Sequence, residues 1–252
     1  MLTAYYPNNV WERWIHSPWR VLRRVPWRDI LDREKRLDCN ICGWRGPYIV
    51  RGRRTDDPHC PLCKSANRHR LIAWYLTRAR PDLVAPGRRF LHVAPERSLG
   101  TCIGRIPGLI YESCDLASAG VTYRVDLQRE IAGETPFDTI MINHVLEHVQ
   151  DDRAALRNLF RMLRPGGLCL VTVPLRPNGR PTDEDPTVVD PNERGRRFGQ
   201  PDHVRYYGFD IVDRIADQGF TTEVLYSAQA DPAAVARHTM ANEILFLASR
   251  PK

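Results

Sequence analysis

The sequence has no apolar run that approaches the roughly 20 residues of a membrane-spanning helix. It also lacks the basic start and apolar segment of a secretory signal. Cysteines number only 7 and Arg greatly outnumbers Lys among the 37 basic residues. An odd, small set of cysteines does not indicate a disulfide framework. These absences argue against a membrane-spanning protein and a disulfide-rich secreted one, and we expect a cytoplasmic protein.

What is present is typical of a soluble globular protein of moderate size. The chain has 252 residues, of which 42% are hydrophobic and 27% charged, as in ordinary globular proteins. This length suits one large α/β domain with a small appendage. The net charge of +7 permits an anionic partner such as nucleic acid but does not require one.

One stretch, residues 137–174, alternates between strand and helix signals. Residues 137–142 are an apolar run of strand type, and polar residues follow. Asp151 is placed to cap the next helix, and the Pro-Gly-Gly of residues 165–167 stops it. Residues 168–173 form a second apolar run. The apolar face of the helix consists of Leu156, Leu159, Phe160 and Leu163. This order predicts a βαβ unit with a right-handed crossover in a parallel sheet.

Two segments of this unit are FDTIMINHVLEH and LRPGGLCLVTVP. In these segments the unit resembles the class I S-adenosylmethionine-dependent methyltransferases. The resemblance places it at the fourth strand, the following helix and the fifth strand of that fold. It implies an α/β, Rossmann-like sheet, whose first three strands we expect at residues 89–93, 109–115 and 123–127. The alternative is an unrelated parallel α/β unit.

Four cysteines precede this region in the pattern Cys39-x2-Cys42-x17-Cys60-x2-Cys63. Two CxxC pairs at this spacing are typical of a four-thiolate zinc site. Four thiolates leave Zn²⁺ no open coordination position, so we expect a structural role. The alternatives are four unrelated reduced cysteines or, less readily, a redox site.

The segments CPLCKSANRHR, LHVAPE, NHVLEHVQDDR and FGQPDHVRYYG together resemble a bacterial methyltransferase subfamily with an N-terminal four-cysteine zinc knuckle. The resemblance covers about residues 37–220. It specifies the type of reaction better than the methyl acceptor.

We therefore divide the chain into an arm, residues 1–36, a zinc knuckle with its connecting helix, residues 37–80, and a methyltransferase domain, residues 81–252. The arm is rich in Trp and Arg, and it could contact a membrane surface, nucleic acid or a partner subunit; alternatively it packs on its own domain or forms a homodimer contact. Within the domain, the insertion of residues 175–207 is too long for an ordinary loop and suggests an active-site lid or an acceptor-binding segment.

The resemblance also assigns cofactor-binding residues. In most class I methyltransferases the first strand ends in a glycine-rich turn, but this chain has HVAPE at residues 92–96. Asp115 would bind the ribose hydroxyls of S-adenosylmethionine, Asp126 the adenine amino group, and Leu127 would offer its backbone N–H. The alternative for either aspartate is a loop or cap carboxylate. The full predicted cofactor set is His92, Ala94, Pro95, Glu96, Asp115, Asp126, Leu127 and Asn143.

Methyl transfer to a hydroxyl requires an in-line geometry and a base, for which histidine is suited. The candidates are His144, at the exit of the fourth strand, and His203, which lies beside Asp202 in a late polar loop. Glu147 and His148, in the LEH segment, are interpreted as residues that support the loop. Alternatively, a Mg²⁺ ion could bind the carboxylates of Asp183, Asp185 and Asp190.

The sequence thus predicts an O-methyltransferase, with S-adenosylmethionine as cofactor, structural zinc, and a hydroxyl of a sugar, oligosaccharide or glycan precursor as acceptor. The acceptor class rests on resemblance to members near polysaccharide biosynthesis. One alternative is an RNA methyltransferase, whose affinity would fall steeply with salt. Another is a non-catalytic protein-binding adaptor, which the missing glycine-rich turn would favour.

Overall fold

The structure is a computed structural model that describes residues 36–50, 57–129 and 136–252, with the backbone alone at residues 49–50. The predictions for the arm of residues 1–36 lie outside the described residues, except at Arg36. No helix in the described part of the chain has the length and apolar character needed to cross a membrane.

Strands and helices alternate through most of the described chain. The strands are β1 (Arg36–Asp38), β2 (Arg45–Pro47), β3 (Ile49–Val50), β4 (Pro58–His59), β5 (Arg89–Val93), β6 (Ile110–Asp115), β7 (Tyr123–Arg124), β8 (Phe137–Asn143), β9 (Leu163–Thr172), β10 (Asp183–Glu184), β11 (Arg205–Tyr206), β12 (Thr221–Tyr226) and β13 (Ile244–Ser249). The α-helices are α1 (Asn67–Trp74), α2 (Arg97–Ile103), α3 (Asp152–Met162), α4 (Pro191–Arg197), α5 (Ile211–Ala216) and α6 (Pro232–His238). Shorter helical turns are Tyr75–Ala79, Pro81–Val84, Leu146–His148, Pro177–Gly179 and Ser227–Gln229.

The chain folds into two compact units that interleave along the sequence. The first comprises the described residues up to Ala85, with Glu96–Pro107 and Tyr226–Ile244. The second comprises Pro86–Pro95, Gly108–Leu225 and Leu245–Lys252.

A buried arginine holds the first unit together. Arg70, on α1, is fully buried, and its Nε donates a hydrogen bond to the carbonyl of His238 (2.6 Å). Its Nη1 donates to the carbonyl of Ser65 (2.6 Å), and its Nη2 donates to the carbonyls of Pro58 and Thr239 (2.9 Å each). Because a buried guanidinium group needs partners for its N–H groups, Arg70 joins α1 and the end of α6 to the cysteine-bearing turns.

The second unit is built on a seven-stranded sheet with the order β12-β13-β9-β8-β5-β6-β7. The strands from β9 to β7 pair in parallel, whereas β13 is antiparallel to β9. The central strands are almost continuously buried, as expected where both faces of a parallel sheet are covered. The predicted α/β, Rossmann-like fold is confirmed.

The predicted βαβ unit corresponds to β8, α3 and β9. The Asp151 carboxylate accepts a hydrogen bond from the Ala154 N–H (2.8 Å), as predicted for the helix cap. The helix ends earlier than its apolar pattern indicated: Met162 is its last residue, and Leu163 already pairs with Phe137 in the sheet. Strand pairing therefore competes successfully with the helix for this last apolar residue.

Candidate active site and cysteine cluster

The parallel strands of the second unit end at a common edge. Val93 of β5 pairs with Cys114 of β6 and with Ile142 of β8. The residues that follow, Ala94 and Asn143 among them, therefore line one edge of the sheet. Open parallel sheets bind their ligands at this edge.

Two non-glycine residues at this edge have left-handed backbone angles, Ala94 with φ 45° and His144 with φ 50°. Such angles are uncommon for residues other than glycine and are concentrated at functional sites. Ala94 stands where the resemblance led us to expect glycine, and its N–H donates to the Cys114 carbonyl (2.7 Å). The HVAPE segment thus makes a tight turn without glycine.

Asp115 occupies the carboxyl end of β6 and is half-buried. Its Oδ1 accepts hydrogen bonds from the backbone N–H groups of Ala117 and Ser118, both at 2.7 Å. Because both bonds use Oδ1, the other oxygen, Oδ2, can accept from an outside donor such as a diol. Asp115 therefore caps its loop, and this role is compatible with the ribose-binding prediction, which stays a prediction.

Asp126 and Leu127 follow β7 in a tight turn. Asp126 Oδ1 accepts from the Gln128 N–H (3.0 Å), and this bond is the main cause that lowers the pKa of Asp126, despite a smaller opposing effect of burial. The Leu127 carbonyl accepts from Asn158 Nδ2 of α3 (2.8 Å), which also bonds to the Arg129 carbonyl (2.7 Å). Asn158, which the sequence analysis did not single out, thus fixes this turn.

The remaining predicted cofactor residues have different surroundings. His92 is fully buried within β5, with Nδ1 2.9 Å from the Tyr111 hydroxyl. Asn143 is also buried and accepts a hydrogen bond from Thr172 Oγ1 (3.1 Å), which ties the ends of β8 and β9. Pro95 is half-buried, and Glu96 belongs to the first unit, where its Oε1 lies 3.5 Å from His69 Nε2.

Of the two candidate bases, His144 is the more accessible. Its side chain is 28% exposed, and its Nδ1 lies 3.1 Å from Oε1 of the fully buried Glu147. His203 is only 3% exposed. Its Nδ1 lies 2.9 Å from the Phe198 carbonyl. The exposed Asp202 does not pair with His203; its Oδ2 lies 3.3 Å from His148 Nδ1.

A network of charged side chains supports this region. Arg214 donates from Nη1 to Asp152 Oδ2 (3.0 Å) and from Nη2 to Glu184 Oε1 (2.6 Å). Asp152 also accepts from the Tyr207 hydroxyl (2.8 Å). The hydrogen bond from Arg214 is the main cause that lowers the pKa of Glu184 to about 2, followed by that from Arg205. The sequence shows that these charged residues are present, but it does not indicate which of them form hydrogen bonds with one another.

Arg205 connects the insertion to the turn that follows His144. Its guanidinium group donates to the carbonyls of Leu146 (2.8 Å) and Gln150 (2.7 Å), and also to that of Val149. Nη1 donates to the carbonyls of Leu146 and Val149 and Nη2 to that of Gln150, so one side chain of the insertion holds this turn in place.

The carboxylates considered for Mg²⁺ have protein partners. Arg197 donates to Asp183 (2.8 Å) and Asp185 (2.9 Å), while Asp190 caps α4 by accepting from the Glu193 N–H (3.0 Å). Within the described ranges these three aspartates do not form a group of metal ligands. The structure therefore gives no support to magnesium at this position.

In the first unit, the four predicted cysteines converge. The distance from Cys39 Sγ to Cys63 Sγ is 3.7 Å, that from Cys42 Sγ to Cys60 Sγ is 3.6 Å, and all four sulfur atoms lie within 4.8 Å of one another. No disulfide joins them. Sulfur atoms at about 2.3 Å from a tetrahedral ion are separated by about 3.8 Å, so the cluster has the dimensions of a zinc site.

Each CxxC pair forms a tight turn. The Gly43 N–H donates to the Cys39 carbonyl and the Lys64 N–H to the Cys60 carbonyl, both at 2.9 Å. Gly43 has a positive φ of 74°, which glycine adopts readily, and Lys64 takes the equivalent conformation with φ 65°. Ser65 Oγ lies 3.2 Å from Cys63 Sγ and completes the polar surroundings of the cluster.

Comparison with known proteins supports the methyltransferase prediction. The family model described as "Methyltransferase domain" matches residues 103–223. A probable S-adenosylmethionine-dependent methyltransferase of Mycolicibacterium smegmatis is 33% identical over 88 residues, which cover 32% of this chain and 34% of the relative. The chain thus matches about a third of the length of that curated relative.

Solved structures with a similar arrangement include two methyltransferases. An S-adenosylmethionine-dependent methyltransferase from Mesorhizobium loti has a TM-score of 0.47 at 17% identity, covering 68% of this chain and 97% of that one. The 1,6-didemethyltoxoflavin-N1-methyltransferase of Burkholderia thailandensis, solved with bound 1,6-didemethyltoxoflavin and S-adenosylhomocysteine, has a TM-score of 0.46 at 16% identity, covering 68% of this chain and 74% of that one.

The strand order of the sheet and the family match point to the same conclusion. The matched residues begin in α2 and run through β6, β8 and β9 to β12. Residues 103–223 are therefore similar to a methyltransferase domain, and they supply most of the strands of a sheet with a Rossmann-like fold.

Proposed function

We propose that this protein is an S-adenosylmethionine-dependent O-methyltransferase in which His144 is the general base. The observation that carries the proposal is the position of His144 after β8, at the ligand-binding edge, next to the buried carboxylate of Glu147. A negative charge 3.1 Å from Nδ1 stabilises the imidazolium that forms when the ring takes a proton.

The residues at the sheet edge fit S-adenosylmethionine. Asp115 offers the unused Oδ2 to the ribose hydroxyls, and the small side chain of Ala94 lets the turn after β5 approach the cofactor closely. The cofactor supplies an electrophilic methyl group on a sulfonium. The protein must hold the acceptor oxygen in line with that group and exclude competing water.

His144 suits the base role better than His203. Its exposed ring edge can meet an acceptor hydroxyl, whereas His203 is buried and its Nδ1 is taken by the Phe198 carbonyl. In the proposed step the acceptor hydroxyl would give its proton to His144 as its oxygen bonds to the methyl carbon. The bond between that carbon and the sulfonium sulfur would break, with S-adenosylhomocysteine as the leaving group. The proton then leaves to solvent.

As acceptor we propose a hydroxyl of a sugar, oligosaccharide or glycan precursor. The support is the subfamily resemblance and the folded insertion, residues 175–207, beside the turn that carries Glu147. A panel of nucleotide sugars, oligosaccharides and RNA, assayed with methyl-labelled cofactor, tests this choice. Labelled RNA with salt-dependent affinity would replace it with the RNA alternative.

Binding of S-adenosylhomocysteine, measured by calorimetry, tests the cofactor site first. Asp115→Asn keeps an oxygen for the Ala117 and Ser118 N–H groups but replaces the carboxylate. We expect affinity to fall about 10–100-fold, because hydrogen bonds to a charged group are lost. If the wild-type protein does not bind, the adaptor alternative takes precedence.

Turnover tests the base. His144→Asn is the informative variant, since asparagine tolerates the left-handed backbone that His144 adopts but cannot accept the proton. We expect kcat to fall about 10²–10⁴-fold while affinity for S-adenosylhomocysteine changes little. Near-normal turnover would eliminate His144 as the base.

We also propose that the cysteine cluster holds a structural Zn²⁺ ion through Cys39, Cys42, Cys60 and Cys63. The sulfur spacing and the absence of disulfides among these residues support this. The four thiolates would bind the ion without an open position. A reducing compartment such as the cytoplasm fits four unbridged thiols.

A further inference from the structure

A second group of potential metal ligands lies in the second compact unit. It consists of Glu147, His148 and His203, whose ligand atoms all lie within 4.8 Å of one another. The first two belong to the turn Leu146–His148, and His203 precedes β11. The Val204 N–H donates to the Glu147 carbonyl (2.9 Å), so the backbone itself holds the two segments together.

Glu147 is buried in a way that calls for a cation. Its side chain is 0% exposed, and neither carboxylate oxygen has a hydrogen-bond partner. His144 Nδ1 approaches Oε1 to 3.1 Å without the alignment of a hydrogen bond. A buried carboxylate that lacks donors is costly unless a cation neutralises it.

His203 presents a lone pair to the same region. Its Nδ1 lies 2.9 Å from the Phe198 carbonyl, and because a carbonyl only accepts, Nδ1 carries the hydrogen. The neutral ring therefore has its lone pair on Nε2, which is buried and has no hydrogen-bond partner. His203 Nε2 and the Glu147 carboxylate thus lie near each other, and no hydrogen bond joins them. Two metal ligands are arranged in this way.

His148 is the third potential ligand, and its partly exposed side chain connects the group to solvent. Its ring packs edge-on against that of His203, with centroids 4.7 Å apart, and its side chain is 35% exposed. Asp202 Oδ2 lies 3.3 Å from His148 Nδ1. Carboxylate and carbonyl partners of this kind orient metal-binding histidines through their non-ligating nitrogen.

We propose that Glu147, His148 and His203 form a binding site for a divalent transition-metal ion, with Zn²⁺ as the probe. Two imidazoles and one carboxylate are a ligand set that such ions accept, and three protein ligands leave a coordination position open. Ligand atoms about 2.0–2.2 Å from a common ion lie about 3.5 Å from one another, which agrees with ligand atoms that all lie within 4.8 Å of one another. The site differs from the cysteine cluster in having no sulfur.

The experiment uses the full chain. The protein is first loaded with Zn²⁺ and then dialysed against a chelator that removes the ion from Glu147, His148 and His203 but not from the four thiolates of the cysteine cluster. Titration with Zn²⁺ should show one further ion per chain. Cobalt bound there should give d–d absorption without the thiolate charge-transfer band that marks the cysteine cluster.

Two variants test the ligands. His203→Asn keeps a donor for the Phe198 carbonyl but loses Nε2, and Glu147→Gln is isosteric; each should weaken the added Zn²⁺ at least about tenfold. Asp202→Asn should weaken it about tenfold, the lower end for partners of ligating histidines, since Asp202 is exposed. Asp183→Asn, a carboxylate paired with Arg197 elsewhere, is the matched control and should bind normally.

Stability provides an independent readout. In chelated protein, Glu147→Gln should raise the urea midpoint, since it removes an uncompensated buried charge, and Zn²⁺ should then no longer stabilise the variant. The proposal is overturned if the wild-type protein takes up no metal beyond the cysteine cluster, or if both ligand variants bind Zn²⁺ as the wild type does.

Discussion

At the scale of single residues, Ala94 and His144 carry the unusual backbone of the candidate active site. Both have positive φ angles at the ends of neighbouring parallel strands. The residue types did not indicate this, because alanine and histidine rarely adopt such angles. Both residues directly follow paired strands, and the surrounding sheet holds their backbones in these strained conformations.

Gly208, which ends the DHVRYYG segment, shows how closely the insertion packs. A Cβ atom at this position would lie 2.3 Å from the Arg180 carbonyl oxygen and 2.6 Å from the Pro181 carbonyl carbon. We expect Gly208→Ala to lower the free energy of unfolding by about 1–3 kcal/mol, because backbone on both segments must move. Urea denaturation measures this loss.

Gly120→Ala is the matched control for this prediction. No heavy atom lies within 4 Å of a Cβ placed on Gly120. The control should change stability by less than about 0.5 kcal/mol. Equal effects of the two substitutions would show that the chain does not approach Gly208 as closely as described.

At the scale of elements, the buried charges explain how the insertion is attached. Arg214 on α5 bonds to Asp152 at the start of α3 and to Glu184 on β10. The short strands β10 and β11 pair antiparallel, so the predicted lid segment has secondary structure of its own. Long-range pairing of this kind leaves no local pattern in the sequence.

Arg214→Met tests this attachment. The substitution removes the nearer of the two cations beside the buried Asp152 and leaves Arg205, whose Nε lies 3.7 Å from Oδ2. We expect it to lower the free energy of unfolding by about 3 kcal/mol, the lower end for a broken buried ion pair. Arg197→Met is the control: its pairs with Asp183 and Asp185 are exposed to solvent, so the loss should be much smaller. Similar midpoints for both variants in urea would refute the role assigned to Arg214.

The same network predicts an acid dependence. Because the pKa of Glu184 is lowered from its ordinary value of 4.5 to about 2, chiefly by the hydrogen bond from Arg214, its ionised form stabilises the fold fully above about pH 4.5. This contribution is lost as the pH falls through the lowered value. The stability difference between wild type and Glu184→Gln should therefore shrink between about pH 5 and about pH 3. A constant difference in urea midpoint over this range would contradict the prediction.

At the scale of the whole molecule, metal content should reveal the cysteine cluster. We expect chelator-treated wild-type protein to keep about one zinc ion per chain, and Cys60→Ser to lose it and to unfold at lower temperature, since structural zinc binding contributes directly to folding. Elemental analysis and thermal unfolding measure both effects.

Cys102→Ser is the control for this prediction. Cys102 is outside the cluster, and burial raises the pKa of its thiol to about 11. The control should retain its zinc ion. Full zinc content in Cys60→Ser would exclude the four-thiolate site.

The compact units of the structure do not follow the consecutive segments into which the sequence analysis divided the chain. The sequence suggested consecutive segments with boundaries at residues 36 and 80, and those boundaries stay a prediction. The two compact units of the structure instead exchange segments: α2 and α6 join the cysteine-bearing unit, although both follow β5 in the chain. Arg70 shows the reason, because its partners include carbonyls about 170 positions away.

The sequence by itself determined the parallel α/β sheet, the helix cap at Asp151 and the convergence of four cysteines. Each depends on local signals, namely apolar periodicity, capping chemistry and CxxC spacing. Only the tertiary structure decided which histidine is exposed, which carboxylates are already paired, and that Glu147, His148 and His203 meet. These depend on contacts between distant segments, whose burial and hydrogen bonding no local pattern encodes.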